Sequence, residues 1–192
     1  MKKMIFLLLP MAIFAMLLLG SCSKSAVIDP VTIVTKTDSI RVNFSAVAPY
    51  TFFSFKNDAI VANSDSSTTN WDFGLRFTTF ILNSSAFGPG NAGAILQNNI
   101  YSTVNTAPDA GYAYDTTAAQ KGIKDGSWYN YNAVTRAFAP KAGQTFIFRT
   151  ADNFYVKMEL LAVDYDAFTG PTPTRLIYRF RYTYQSNGSK NF

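Results

Sequence analysis

The sequence predicts an all-β domain, a largely antiparallel sheet structure carrying one long, irregular, aromatic-rich excursion. Three observations predict it. Apolar and polar residues alternate at period two in successive segments, which is the pattern of half-buried strands with one wet face. No window of twelve or more residues shows helical periodicity. The connecting stretches are rich in Gly, Asn, Ser and Asp, the residues of turns. At 192 residues, 48% apolar and 16% aromatic, the chain can fill one sizeable core.

Taken in order, the chain opens with a basic Met1-Lys2-Lys3 and an apolar run over residues 4–19. That run is shorter than a spanning helix needs (~20 residues), and Pro10 interrupts it. It predicts a secretory signal over residues 1–21. Leu19-Gly20-Ser21-Cys22 resembles a bacterial lipobox, with Cys22 the only cysteine. The expectation is cleavage before Cys22 and acylation there by palmitate-type chains. Such chains anchor an otherwise water-exposed domain to a membrane. Ser23 follows, not an aspartate of the inner-membrane retention type, so the expected location is the outer membrane, on its periplasmic or cell-surface face. Residues 22–37 read as a lipidated tether and residues 38–192 as the β-domain.

Ile40, Val42, Phe44 and Ala46 are expected on one strand face. Trp71, Phe73, Leu75, Phe77 and Ile81 share another, opposite Asp72, Arg76 and Thr78. Phe146 and Phe148 alternate with Thr145, Ile147 and Arg149. Phe154, Val156, Met158, Leu160 and Ala162 alternate with Lys157 and Glu159. Leu176, Tyr178, Phe180, Tyr182 and Tyr184 alternate with Arg175, Arg179, Arg181 and Thr183. Residues 63–70 and 83–94 read as loops. Residues 101–140 are aromatic yet weakly periodic, and a long stretch of that kind inside a domain is usually functional or disordered. The aromatic content argues against disorder.

Composition excludes much chemistry. Histidine is absent and glutamate occurs once, as Glu159. Ser-His-Asp and Cys-His catalysis, a CxxC zinc site and an internal disulfide are ruled out. Loss of Lys2 and Lys3 lowers the formal charge from +5 to +3, which is no footprint for nucleic acid. Gly88-Pro89-Gly90-Asn91-Ala92-Gly93 fits GxGxxG but lacks the strand and helix of a dinucleotide site. Asp109, Asp115 and Asp125 lack a calcium-loop spacing. Asp164 and Asp166 share a face without a placed partner for glycosidic chemistry. No enzyme is predicted. Asp38-Ser39-Ile40 and Asp115-Thr116-Thr117 resemble a short O-glycosylation signal of Gram-negative envelope proteins. Arg175, Arg179 and Arg181 form either a solvated strand face or a dock for an acidic partner.

Three blocks carry a family resemblance. They are Trp71-Asp72-Phe73-Gly74, the loop Asn83-Ser84-Ser85 with Gly88, Gly90 and Gly93, and the run Phe146–Met158 with the closing strand Tyr178–Gln185. In this order, behind a lipobox, they resemble the HmuY family of haem-binding lipoproteins. The resemblance implies an all-β lipid-anchored domain that binds haem and passes it to a TonB-dependent receptor. The family's founding member holds iron between two histidines, and this chain has none. The remaining ligand types are thiolate, methionine and tyrosinate. Cys22 is assigned to lipid, so an iron ligand would be Met158 or a tyrosine, Tyr129 foremost. Tyr101, Tyr112, Tyr114, Trp128, Tyr129 and Tyr131 lie in the excursion. They could pack it onto the sheet, stack on a planar guest, or supply a phenolate to ferric iron. Lys121, Lys124, Arg136 and Lys141 are nearby cations for carboxylates of a guest. The alternative reading is a surface lipoprotein of the same fold that binds a non-haem ligand or a partner protein.

Overall fold

The structure, a computed structural model, describes residues 33–166 and 173–192. The signal segment 1–21, the lipidation site Cys22 and the tether as far as residue 32 lie outside the described residues.

Period-two alternation builds two antiparallel sheets. The larger consists of β1 (Thr35–Asn43), β11 (Arg175–Gln185), β10 (Tyr155–Tyr165), β9 (Thr145–Arg149) and β6 (Gly93–Gln97), side by side in that order. The smaller consists of β3 (Ala59–Val61), β2 (Thr51–Ser54), β4 (Phe73–Arg76) and β5 (Thr79–Leu82), again in spatial order. A separate hairpin is formed by β7 (Tyr129–Asn132) and β8 (Ala137–Pro140).

Rings from the inner faces of the two sheets meet in edge, tilted and stacked contacts. Phe53 lies 5.4 Å from Phe180, Phe55 lies 5.1 Å from Tyr182, Phe80 lies 5.6 Å from Phe146, and Phe73 stacks on Phe148 at 5.7 Å. Met158, Ile40, Val42, Val156 and Leu176 complete this layer. Each fully buried ring or aliphatic chain contributes about 1.5–3 kcal/mol relative to exposure, and the strands of both sheets supply them.

The Trp71-Asp72-Phe73-Gly74 block fastens the sheets together. The Asp72 carboxylate accepts the Phe55 N–H at 2.8 Å from the smaller sheet and the Ala151 N–H at 2.9 Å from the turn after β9. Gly74 is required by crowding, because a Cβ there would lie 3.0 Å from both Ile81 and Phe52. The Gly88–Gly93 loop closes on Asn83, whose amide oxygen accepts the Gly90 N–H at 2.9 Å. It is a packing device.

Some sequence expectations are corrected. Residues 71–81 are not one strand but the β4–β5 hairpin. Phe77 occupies its turn at φ +50°, a left-handed position that Gly or Asn usually marks. Without that marker the alternation reads straight through. Ile81 consequently faces away from Phe73 and packs with Phe52 and Trp71 on the outer side of the smaller sheet. Ala46 lies beyond β1, exposed in a turn. β1 itself starts at Thr35, within the stretch read as tether. It is held there by pairing with β11 and by a 2.9 Å hydroxyl contact between Thr35 and Thr183 rather than by apolar residues. A bulge between Leu160 and Ala162 breaks the alternation of β10 and leaves Leu161 exposed.

Candidate functional site

The excursion wraps the sandwich in four steps. Residues 101–107 cover the outer face of the larger sheet, where the Tyr101 hydroxyl meets Thr183 at 2.5 Å. The Lys157 ammonium donates to the Val104 carbonyl at 2.8 Å and faces the Tyr101 ring. Residues 111–115 cap the exposed edge of β6, with Ala94 and Ala113 exchanging two 2.9 Å backbone hydrogen bonds. Covering an edge strand in this way blocks pairing with other chains. The buried Asp115 carboxylate then accepts N–H groups of Leu82 and Gly122, each at 2.7 Å. Finally Trp128 enters the core and the β7–β8 hairpin closes one end of the sandwich.

That last step separates the sequence-nominated aromatics. Tyr101 and Trp128 are buried. Trp128 packs on Phe80 and Tyr178, and its indole N–H donates to the Thr78 carbonyl at 3.2 Å. Tyr112 and Tyr114 lie over Gly93 and flank the Arg149 guanidinium, which stands 5.9 and 5.1 Å from their ring centres. Burial raises the pKa of the Tyr112 phenol above its ordinary value. Met158 is 0% exposed, opposite Tyr182 and Phe146 in the middle of the core. It presents no sulfur to any guest unless the sheets part.

Tyr129 and Tyr131 remain together at the hairpin end, and residues not nominated as ligand contacts join them. Phe138 lies 5.2 Å from Tyr129, 4.9 Å from Tyr131 and 5.5 Å from Phe77. Phe44 lies 5.1 Å from Phe77 and 6.0 Å from Tyr165. Phe44, Phe77, Tyr129 and Tyr165 are half-buried, and Tyr131 is 53% exposed. The Tyr165 hydroxyl donates to the Arg136 carbonyl, so β10 and the hairpin tip are joined. Burial raises the Tyr165 pKa, with Tyr131 adding to the rise and Arg136 opposing it. Beside the rings a groove of about 330 Å³ runs between Asn43-Phe44-Ser45 and Pro173-Thr174. That volume is at the lower end of small-molecule sites (~300–1,000 Å³). Val47 and Val134 stand out at 90% and 93% exposure on neighbouring loops.

Of the nominated cations, Lys121 pairs with Asp125 at 3.2 Å, and Lys141 donates to the Ser127 carbonyl at 2.8 Å. Arg136, at φ +56° on the hairpin tip, meets this ring cluster through its backbone carbonyl, which accepts the Tyr165 hydroxyl. Two of the three arginines of the strand face are paired with carboxylates of β10, Arg179 with Asp164 at 2.7 Å and Arg181 with Glu159 at 2.6 Å. Among the described residues no group of three His, Cys, Asp or Glu could hold a metal ion, and no helix is long and apolar enough to cross a membrane.

The chain is thus a two-sheet antiparallel sandwich with one ring-lined end. No family model matches it, and no curated protein matches it in sequence. Solved structures match its shape. The apo HmuY analog of Tannerella forsythia shares 10% identity at a TM-score of 0.50, covering 78% of this chain and 96% of that one. A candidate HmuY-like heme-binding protein from Bacteroides vulgatus shares 11% identity at 0.48, covering 76% and 90%. A candidate lipoprotein from Bacteroides fragilis shares 11% at 0.48, covering 75% and 89%. The architecture is HmuY-like, as the motif resemblance implied.

Proposed function

We propose that this protein is a non-enzymatic capture lipoprotein. Anchored to the outer membrane through Cys22, it binds haem or a porphyrin-like ring at the aromatic end and passes it to a TonB-dependent receptor. One observation carries the reading: within a HmuY-like sandwich, partly exposed rings from β7, β10 and two turns converge on one end around the buried Phe138 of β8. A flat guest gains from burying its plane against such rings, about 0.5–1.5 kcal/mol per ring pair beyond area burial. Tyr129, Tyr131 and Tyr165 are the phenols there that could ligate ferric iron, and Arg136 is the cation for a propionate. β1 begins at the opposite end of the sandwich from these rings, so a tether leaving from Thr35 lets the aromatic end face away from the membrane.

The lack of histidine and the burial of Met158 favour a second reading, in which the same end takes a planar ligand without iron or a partner protein. Titrating the chain from Ser23 onward with ferric haem and, separately, with iron-free protoporphyrin distinguishes them. Saturable binding of both, insensitive to tyrosine-to-phenylalanine changes, supports stacking alone. A haem spectrum lost in Tyr129→Phe, Tyr131→Phe or Tyr165→Phe supports phenolate ligation. No saturable change with either compound removes the porphyrin reading.

A further inference from the structure

The end of the sandwich opposite the rings holds a second, more enclosed cavity of about 220 Å³. It lies where the β2–β3 turn, the approach to β4, the β9–β10 turn and the end of β11 meet. Its lining is mostly polar. Asp72 forms the floor, 5% exposed, with one lone pair of each oxygen already used by a backbone N–H. A carboxylate has about four acceptor sites, so acceptor capacity remains. Thr150 and Ser54 use their hydroxyl oxygens as acceptors for Phe154 and Asn57 N–H groups, leaving both hydroxyl protons to donate. The side-chain amides of Asn57 and Asn70, exposed at the rim, and the half-buried Tyr184 phenol line the same space without a hydrogen bond to the described residues. Tyr184 is steadied by Phe154, with ring centres 5.9 Å apart.

We infer that this cavity binds a small polyhydroxylated ligand, a single sugar ring or a comparable polyol. The proposal goes beyond the porphyrin reading and is independent of it. The charge balance excludes the simpler occupants. Asp72 and Asp152 face one Lys56, which pairs with Asp152 at 3.8 Å, so an anion meets net negative charge. Two carboxylates without a third strong ligand are too few for a dehydrated metal ion. A sugar hydroxyl both donates and accepts, and this wall offers carboxylates, amides and hydroxyls in close alternation. Tyr184 adds an aromatic body with a polar tip, which suits the amphipathic face of a pyranose. At ~30 Å³ per water the space holds about seven waters, or one six-membered ring with its hydroxyls.

The test uses the whole chain and four probes: glucose, galactose, mannose and N-acetylglucosamine, each followed by saturation-transfer NMR and a titration. The expected result is saturable binding of at least one at millimolar concentration or below. Tyr184→Phe and Asn70→Ala each weaken it by roughly five- to tenfold, the size of one lost hydrogen bond of about 1 kcal/mol. Tyr131→Ala, at the far end, leaves it unchanged. Melting curves confirm that the variants fold. Failure of all four sugars to saturate overturns the inference. So does binding that ignores both cavity variants, which identifies a different surface and leaves this pocket to water.

Discussion

The two ends of this sandwich share the same strands and differ in almost every other respect. At the Asp72 end, directional bonds tie sheet to sheet: a carboxylate grips backbone from both layers, and hydroxyls and amides surround it. At the hairpin end the layers are joined by rings in edge and tilted contact, with few hydrogen bonds among them. Hydrogen bonds fix geometry and are costly to break when buried. Ring contacts tolerate sliding and can be exchanged for contacts with a guest. On the proposed reading, one end holds the frame and the other exchanges ring contacts for those of a flat ligand.

The comparison breaks most sharply at Trp128, the residue that seats the hairpin. Trp128→Ala removes a fully buried indole packed on Phe80, Tyr129 and Tyr178 and leaves the Thr78 carbonyl without its donor. The expected cost is about 3–5 kcal/mol in denaturant unfolding, with hydrogen exchange over residues 129–140 rising first. A loss below about 1.5 kcal/mol would mean that the hairpin is held by something other than this indole.

At the polar end the corresponding lever is pH. Burial raises the Asp72 pKa from 3.8 to about 6, against the opposing pull of the Ala151 and Phe55 N–H groups. Between those values the folded chain keeps a proton that the unfolded chain has released. The folded state's advantage therefore shrinks as pH rises through the window, by on the order of 3 kcal/mol in all. Asp72→Asn loses one acceptor at every pH but does not titrate. The stability of wild type minus that of the variant should fall between about pH 4 and pH 6. Asp115, also raised by burial, acts in the same sense in both proteins and cancels. A difference that stays flat, or grows with pH, would refute burial as the dominant influence on Asp72.

The long strands were legible because each side chain of β10 and β11 obeys one rule, apolar inward and polar outward. The ends were less legible because they are made by turns and by packing across long sequence separations. Tyr165 and Phe138 are 27 positions apart in sequence, and nothing local says that they approach the same ring cluster. Phe77 in a left-handed turn carries no sequence mark at all. Within the excursion, weak periodicity correctly signalled non-strand backbone over residues 104–128. It could not separate Tyr101 and Trp128, which serve the fold, from Tyr129 and Tyr131, which stand at the open end. The β7–β8 hairpin is hidden from periodicity because its four-residue strands are too short for alternation to register. Asn132 to Arg136 did hold a turn signal, since the Asn132 side chain caps the Val134 and Thr135 N–H groups at 2.9 and 3.1 Å.

The finest distinction between the ends is between holding and receiving, and Tyr131 tests it. Its ring is about half exposed and touches Phe138 alone among the described rings. Tyr131→Ala should therefore change unfolding stability by less than about 0.5 kcal/mol, as for most surface substitutions. If the ring stacks on a porphyrin, the same change removes about 0.5–1.5 kcal/mol of binding, a two- to roughly tenfold rise in Kd. Tyr131→Phe, which keeps the ring and discards the hydroxyl, should restore binding of iron-free protoporphyrin. A stability loss above 1 kcal/mol with unchanged porphyrin affinity would assign Tyr131 to the frame, and the aromatic end would then be a second structural cap rather than a mouth.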